Sequence, residues 1–488
     1  MAAIPRFLAA CMAMASPLVY AQLLQPQTNT WNSTFSLTEE QIASLNLSAT
    51  AANNINIAAR FEQSNWATGS VFTDPFYTHL PTNASWAPAG SVLKVEAFTS
   101  TSTYTISPAL ALSRIVYQSK TLNGTLVPVS AFILWPYRPR GGASVSPLVS
   151  WGHGTSGLTP ECGPSHVRNL WQQFAGPYSL ALAGYAVVAT DYAGLGVPVY
   201  PDGSEIIHQY LASPASGNDM LYAAQAAQAA FPGELSPNFA VVGHSQGGGA
   251  AWGAARQQVE AQVPGYLGAI AVAPVTDAIG TGRESGALDY SFITIAKSLL
   301  SIFPSLSLSQ MLTSTGINTV RLFDQVQACN SVINTAIIQL LAANATLSRH
   351  EFWDSIYIST WEDLVRVSEE ETEGPLLVIH GVDDAVIPEA LTFAAVRGTC
   401  DKFPRTQLQY IRAAGMTHTS TLYATQQIWF EWLDARFDEA ARRVRRPNHK
   451  SCECKISTIG SQSPRPLDQY RHEPNYYLMF ALDFYQVA

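Results

Sequence analysis

The sequence predicts an α/β protein, with a mostly parallel β-sheet covered by helices on both faces and a helical cap inserted into it. Three observations lead to this prediction. Short β-branched runs separated by turn residues begin at Ser91, strand-like and helix-like segments then alternate, and the alternation stops between residues 276 and 370 before it resumes. Alternating strands and helices are typical of βαβ units, which form parallel sheets and bind ligands beyond the carboxyl ends of the strands.

The individual elements follow from hydrophobic periodicity and from the turn residues that bound them. The predicted strands are Val92–Phe98, Arg114–Gln118, Val127–Trp135, Leu148–Trp151, Ala186–Thr190, Ala240–Val242, Gly268–Val272, Leu376–His380 and Leu408–Ile411. The predicted helices of the core are Asn169–Leu182, Gly217–Ala230, Gly248–Val259 and Thr421–Phe437.

The cap is predicted over residues 276–370, which are mostly amphipathic and helical in pattern. Its most apolar stretch, Ser291–Leu312, is interrupted by Lys297 and Pro304. A membrane span requires roughly 20 uninterrupted apolar residues, so a helical cap is the better interpretation of this stretch.

The N-terminus has the order of residues that a secretory signal peptide requires. Arg6 precedes the apolar stretch Phe7–Ala15, and small residues occupy the −3 and −1 positions, Val19 and Ala21, before Gln22. We therefore expect residues 1–21 to be removed and the mature protein to be secreted, extracellular and without a transmembrane segment.

The remaining chain divides at changes in pattern. We expect an N-terminal flank, a first core part, the cap, a second core part and a tail of uncertain role, at residues 22–75, 76–275, 276–370, 371–438 and 439–488. The tail contains the basic cluster Arg442–Arg446 and the Cys452-Glu453-Cys454 motif. No second Cys/His pair stands at zinc spacing from this motif, so we expect no metal site there.

Composition excludes some classes of function. The 488 residues carry 27 basic and 36 acidic side chains, a formal charge of −9, whereas nucleic-acid binders normally have a basic surplus. Five cysteines remain after signal removal, so at least one cannot pair within the chain. Glycosylation sequons stand at Asn32, Asn46, Asn83, Asn123 and Asn344.

Ser245 is the predicted nucleophile. It is the serine of Gly243-His244-Ser245-Gln246-Gly247, a G-x-S-x-G motif between the strand Ala240–Val242 and a predicted helix. This strand–turn–helix context is what a nucleophile elbow requires, because flanking glycines permit the sharp turn that exposes the serine.

A serine nucleophile needs a base and an acid that orients the base. Asp384 follows the strand Leu376–His380 and is the predicted acid, with Asp383 as the alternative. His418, 34 residues after Asp384 in the loop before the last helix, is the predicted base. The other histidines in motifs, among them His153, His208, His244 and His380, are assigned to loop shaping or to hydrogen bonds at strand ends.

An oxyanion hole completes such a site. One donor is expected from the backbone N–H of Gln246, the residue after the nucleophile, and a second from an earlier strand-end loop. The glycine-rich loop Trp151–Gly157 fits this role, with Gly154 and Thr155 as alternatives for the second donor.

Four motifs stand in order along the chain: Trp151-Gly152-His153-Gly154-Thr155, Thr190–Gly196, Gly243–Gly248 and His380–Asp384. With them, the sequence resembles the fungal secretory lipase family, the lipase-A type of α/β-hydrolase, over roughly residues 74–437. The resemblance implies a carboxylic ester hydrolase with a helical cap and no metal or organic cofactor, using Ser245, Asp384 and His418. It also implies a disulfide from Cys162 to a cap cysteine, for which Cys329 is the candidate.

These features predict a secreted serine esterase or lipase that acts through an acyl-enzyme on lipid or small acyl esters. A deacetylase of acylated secondary metabolites is the main alternative, and a serine peptidase is a weaker one. A binding module without activity is the alternative from a different class. Acyl length, alcohol, interfacial activation and oligomeric state stay open.

Overall fold

The computed structural model describes residues 33–171, 174–442, 454–461 and 465–470. Its centre is one ten-stranded sheet in the order β1-β2-β3-β5-β4-β6-β7-β8-β9-β10. The strands are β1 Val92–Glu96, β2 Leu110–Lys120, β3 Leu126–Pro136, β4 Ser146–Gly152, β5 Ala186–Thr190, β6 Leu235–His244, β7 Tyr266–Val272, β8 Leu376–Gly381, β9 Leu408–Ala413 and β10 Lys455–Ile459. From β5 to β10 along this order, all neighbours are parallel, and the predicted α/β fold is confirmed.

The helices fall into those that flank the sheet and those of the cap. Outside the cap, the described helices are α1 Glu39–Ser44, α2 Ala49–Ser64, α3 Pro75–Thr78, α4 Pro177–Leu182, α5 Ser213–Ala230, α6 Gln246–Ala261, α13 Glu389–Lys402, α14 His418–Ala424 and α15 Gln426–Ala441. The cap helices are α7 Ala278–Glu284, α8 Leu288–Ile302, α9 Leu308–Met311, α10 Ser314–Val326, α11 Asn330–Ala342 and α12 Ile356–Val365. Single 3₁₀ turns lie at Thr82–Ser85, Thr101–Thr103, Arg140–Gly142, Pro160–Cys162, His350–Asp354 and Leu467–Gln469.

The central strands are apolar on both faces because helices cover both faces of the sheet. All five residues of β5 are buried, and so are the last six of β6, which lead to Ser245. Helix α6, which follows Ser245, packs closely against α5, since a Cβ on Gly217 would meet the backbone of Ala254. This packing fixes α6 against α5.

Several elements differ from the predictions, and helix α13 and strand β10 were not predicted. The helix predicted over Asn169–Leu182 begins only at Pro177, since Leu170 and Trp171 adopt positive φ angles that a right-handed helix excludes. Helix α2 was not predicted, because its asparagines mask an apolar stripe that includes Ile55 and Ala58.

That stripe packs on the cap. Ile55 and Ala58 belong to the same apolar cluster as Phe292, Phe323 and Trp361 of the cap. The carboxylate of Glu62, also in α2, accepts hydrogen bonds from the backbone N–H groups of Cys329 (2.9 Å) and Val332 (2.8 Å) at the start of α11. A negative charge at this end of a helix is stabilising. The N-terminal flank therefore holds the cap as well as the core.

Two disulfides join distant parts of the chain. Cys162, in the loop after β4, pairs with Cys329 at the start of α11, and Cys400 in α13 pairs with Cys454 just before β10. The first bond ties the core to the cap. The second ties the tail to the core, where β10 adds a parallel edge strand beside β9.

Some sequence features lie outside the described residues, namely the predicted signal peptide, Asn32 and Cys452. Each of the other sequon asparagines, Asn46, Asn83, Asn123 and Asn344, is exposed. Within the described ranges, no helix combines the length and apolar character that crossing a membrane demands.

Removing the bond between core and cap should destabilise the fold. For Cys162→Ser/Cys329→Ser we expect the free energy of unfolding to fall by about 2–4 kcal/mol. The two cysteines are 167 residues apart, so the unfolded chain gains much conformational freedom when the bond between them is absent. Urea unfolding followed by tryptophan fluorescence measures this change. Cys452→Ser, which removes a cysteine from neither bond, is the control, and equal midpoints for both variants would contradict the expectation.

Candidate active site

Ser245 lies at the turn between β6 and α6, with φ 62° and ψ −122°. A non-glycine residue with positive φ is strained and is held there only by its surroundings. The neighbouring glycines make the turn possible, because a Cβ on Gly243 would collide with the carbonyl of Gly247, and one on Gly247 with the carbonyl of Gly152. Ser245 is partly exposed at the carboxyl end of the sheet.

The carboxylate of Asp384 is buried and accepts four hydrogen bonds. Oδ1 accepts hydrogen bonds from the backbone N–H groups of Val386 (2.8 Å) and Ile387 (2.9 Å). Oδ2 accepts hydrogen bonds from His380 Nε2–H (3.1 Å) and His418 Nδ1–H (2.8 Å). Burial alone raises the pKa of Asp384, but the hydrogen bonds from His380 and His418 outweigh it and hold the pKa well below its ordinary value. Asp384 is therefore ionised at neutral pH.

Asp383, the alternative acid, has a different environment. Its side chain is exposed, while its backbone N–H donates to Met416 O at 3.0 Å. This contact joins the loop after β8 to the loop that precedes His418. The structure thus places Asp384, and not Asp383, against the imidazole.

His418 is the first residue of α14, whose start is fixed by a capping box between Thr417 and Ser420. Because its Nδ1–H donates to Asp384, Nε2 is the nitrogen left to accept a proton. The side chain keeps 12% of its surface exposed. Among the described residues, Ser245 Oγ makes no hydrogen bond, and such contacts often tighten only when substrate binds.

His244 holds His418 next to Ser245. Its Nε2–H donates to the backbone carbonyl of His418 at 3.1 Å, and the two ring centroids are 4.7 Å apart. Burial lowers the pKa of His244 to about 3, so this ring stays neutral and places no positive charge beside His418. His380 has the corresponding place behind Asp384, where its Nε2–H is shared with Ile387 O at 3.0 Å.

The loop after β4 lies beside the start of α6. Gly152 and Gly243 are register partners in the parallel pair β4/β6, so Gly154 and Thr155 follow one strand end as Ser245 and Gln246 follow the other. The carbonyl of Gly154 accepts His153 Nδ1–H (2.7 Å) and Trp171 Nε1–H (3.0 Å). These bonds turn the carbonyl toward the protein.

Tyr210, which the sequence analysis did not single out, contacts this loop, and His208, which was expected to shape a loop, lies beside Gln246. Thr155 Oγ1 lies 2.8 Å from the hydroxyl of Tyr210. His208 donates from Nδ1 to Ala193 O (2.9 Å) and accepts from Gln246 Nε2–H at its Nε2 (3.1 Å). Burial lowers the pKa of His208 to about 4, which keeps Nε2 free to accept.

A buried carboxylate fixes the next loop, which follows β5. Asp191 accepts the backbone N–H of Ser165 at 2.7 Å and the hydroxyls of Ser130 and Ser165. Burial raises the pKa of Asp191 to about 7 in spite of these donors. In the same loop, the hydroxyl of Tyr192 donates to the backbone carbonyl of His153 at 3.1 Å, so this loop supports the loop of Gly154.

The predicted site residues therefore meet at one end of the sheet. Asp384 and His418 are hydrogen bonded, His418 lies against the residue before Ser245, and Gly154 and Thr155 lie beside Gln246. In the described part of the chain, no group of three or more His, Cys, Asp or Glu side chains could hold a metal ion.

Comparison with known proteins gives the same fold. The family model described as secretory lipase matches residues 178–443, which is more than half of the chain. Lipase A of Candida antarctica in its closed state matches with a TM-score of 0.62 at 16% identity, over 80% of this chain and 90% of that one.

Two bacterial structures are also similar. The rice cell wall degrading esterase LipA of Xanthomonas oryzae matches with a TM-score of 0.53 at 17% identity, over 70% of this chain and 95% of that one. A putative hydrolase of Legionella pneumophila matches with a TM-score of 0.53 at 16% identity, over 73% of this chain and 100% of that one. No curated protein matches the sequence significantly.

The buried His208 should make stability depend on pH. Its pKa is about 4 in the folded chain and about 6.5 when unfolded, so below pH 6.5 the unfolded chain binds a proton that the folded chain does not. The contribution of His208 to stability is therefore lost as the pH falls from 6.5 to 4, by about 3 kcal/mol in total.

We expect the stability of His208→Gln to fall less than that of the wild type over this range. Urea unfolding at several pH values measures the difference, and His79→Gln, at an exposed position, is the matched control. A constant difference between wild type and His208→Gln from pH 7 to pH 4 would contradict the assignment of a neutral, buried His208.

Proposed function

Since the chain belongs to the secretory lipase family and is a carboxylic ester hydrolase, we propose that Ser245, His418 and Asp384 form its catalytic triad. The observation that carries this proposal is the hydrogen bond between His418 Nδ1 and the buried, ionised Asp384, beside the strained turn of Ser245. The chain order of nucleophile, acid and base agrees with the order of α/β-hydrolases.

In the proposed reaction, Ser245 Oγ attacks the ester carbonyl while His418 Nε2 takes the hydroxyl proton. His418 then gives this proton to the leaving alcohol, and an acyl-enzyme forms on Ser245. Water, activated by the same nitrogen, attacks the acyl-enzyme and releases the acid. The carboxylate of Asp384 holds the Nδ1–H tautomer and stabilises the imidazolium that exists during both steps.

The oxyanion of each tetrahedral intermediate is proposed to bind two backbone N–H groups. One belongs to Gln246, at the start of α6, where helix N–H groups have no intrahelical partner. The other belongs to Gly154 or Thr155. Since the carbonyl of Gly154 is tied to His153 and Trp171, the peptide planes of this loop are already oriented before a substrate arrives.

We propose that the enzyme is secreted and acts on lipid or small acyl esters. The predicted signal peptide and the two disulfides support secretion, because disulfides persist in oxidising compartments. The structural neighbours are named as a lipase and as a cell wall degrading esterase, so the similar folds support ester hydrolysis without selecting one class of ester.

The activity should depend on the hydroxyl of Ser245. We expect Ser245→Ala to lower kcat/KM for p-nitrophenyl esters by on the order of 10⁵-fold or more, because no other group forms the acyl-enzyme. A spectrophotometric assay with esters from acetate to palmitate measures this. An optimum at long chains supports a lipase, and an optimum at acetate supports the deacetylase alternative. Unchanged activity of Ser245→Ala would refute the proposed nucleophile.

The two adjacent aspartates provide a matched pair for the acid. We expect Asp384→Asn to lower kcat by about 10⁴-fold, because an amide presents a donor where the carboxylate holds the Nδ1–H tautomer. Asp383→Asn, one residue away and exposed, should retain nearly full activity. The opposite ranking in the same assay would transfer the role to Asp383.

A further inference from the structure

The described part of the C-terminal tail, residues 454–461 and 465–470, lies beyond the family match, which ends at residue 443. Its strand β10 pairs in parallel with β9 over five residues, from Lys455 opposite Gln409 to Ile459 opposite Ala413. Strand β9 is the strand that leads to His418. The tail therefore lies along the element that delivers the proposed base.

The pairing continues past the end of β9 into the loop before His418. The backbone N–H of Ala414 donates to Ile459 O at 2.8 Å. Next, Leu467 covers Gly415, since a Cβ on Gly415 would collide with the Leu467 side chain. Gly415 has φ +72°, so glycine is favoured here both by the backbone angle and by the contact.

The loop of residues 414–417 is thus held by two groups of contacts. Asp383 N–H bonds Met416 O at 3.0 Å, and His244 bonds the carbonyl of His418 at 3.1 Å. The tail supplies the other contacts, at Ala414 and Gly415. Since a displacement of about 1 Å in a catalytic group can cost about 10²-fold in rate, contacts on this loop bear directly on catalysis.

We propose that the described part of the tail, residues 454–461 and 465–470, is a positioning element for His418, and that the Cys400–Cys454 disulfide locks this element in place. The proposal rests on the assignment of His418 as the base. Cys454 immediately precedes β10, and Cys400 is part of α13, so the bond fixes the start of an edge strand that has β9 as its neighbour in the sheet. Without the bond, this short edge strand is held only by its backbone pairing with β9 and by side-chain contacts such as the packing of Ile459 on the core.

The first test removes the disulfide. In Cys400→Ser/Cys454→Ser, we expect kcat for a p-nitrophenyl ester to fall by about tenfold or more, with KM within about twofold, at a temperature where the variant is folded. Both cysteines are replaced because Cys452, two residues from Cys454, could otherwise pair with Cys400. Cys452→Ser is the control and should keep the wild-type kcat.

The second test leaves the disulfide intact and changes the contact with the loop. We expect Leu467→Ala to lower kcat by about threefold or more, because it opens a space beside Gly415, and Leu467→Met to restore it. Leu341→Ala is the matched control, since Leu341 is the same residue type with the same exposed fraction, 37%, and lies in α11, outside the tail.

A third measurement reports on Ser245 and His418 with a small inhibitor in place of a carboxylic ester. Its result therefore does not depend on how the protein binds an acyl chain. The rate of covalent inactivation by a small dialkyl p-nitrophenyl phosphate should fall in parallel with kcat in Leu467→Ala and in the double cysteine variant. It should be unchanged in Leu341→Ala. Circular dichroism and melting temperature establish that each variant is folded.

The outcomes separate this proposal from the proposed function. Wild-type kcat and inactivation rate in the folded double cysteine variant, or equal values for Leu467→Ala and Leu341→Ala, would overturn the positioning role. A lower melting temperature with wild-type kcat would also overturn it, because the tail would then serve stability alone. An active Ser245→Ala, in contrast, would overturn the proposed function itself.

Discussion

Asp384 is the point at which three separate segments of the site are joined. Its carboxylate accepts hydrogen bonds from backbone N–H groups of its own loop, from the ring N–H of His380 at the end of β8 and from the ring N–H of His418 at the start of α14. A buried carboxylate with fewer donors would be costly and would tend to take up a proton. The four donors keep Asp384 charged, and this charge fixes the tautomer and orientation of the proposed base.

Close packing of the surrounding backbone keeps Ser245 in its strained conformation. The turn requires that Gly243 and Gly247 approach backbone atoms more closely than any Cβ allows, and that α6 sits tightly on α5. Such a backbone persists only where its surroundings over-determine it. The segments at the ends of β4 and β7 provide these surroundings. Gly247 lies against the carbonyls of Gly152 and His153, and the backbone of Ser245 bonds to Val272 O (3.0 Å) and to the N–H of Val275 (3.4 Å).

Much of this arrangement could be predicted from the sequence, because its signals are local. The G-x-S-x-G turn, the order of Ser245, Asp384 and His418, and the alternation of strands and helices are all visible in short windows. The choice between Asp383 and Asp384 is not visible in a short window of sequence, since it depends on which of the two carboxylates is buried. Helix α2, the contact of Tyr210 with Thr155 and the strand β10 were missed because each is stabilised by partners distant in sequence.

Exposure decides which histidine near Ser245 can serve as the base. Burial lowers the pKa of His153 and His208 to about 4 and that of His244 to about 3, so these rings remain neutral and act as fixed donors or acceptors. His418 differs in that its ring is partly exposed and lies against an ionised carboxylate. A group that must gain and lose a proton in each turnover needs both features, because solvent stabilises its charge and the carboxylate stabilises the imidazolium. Because the histidines around it stay neutral, His418 is the ring that carries the positive charge in the proposed reaction.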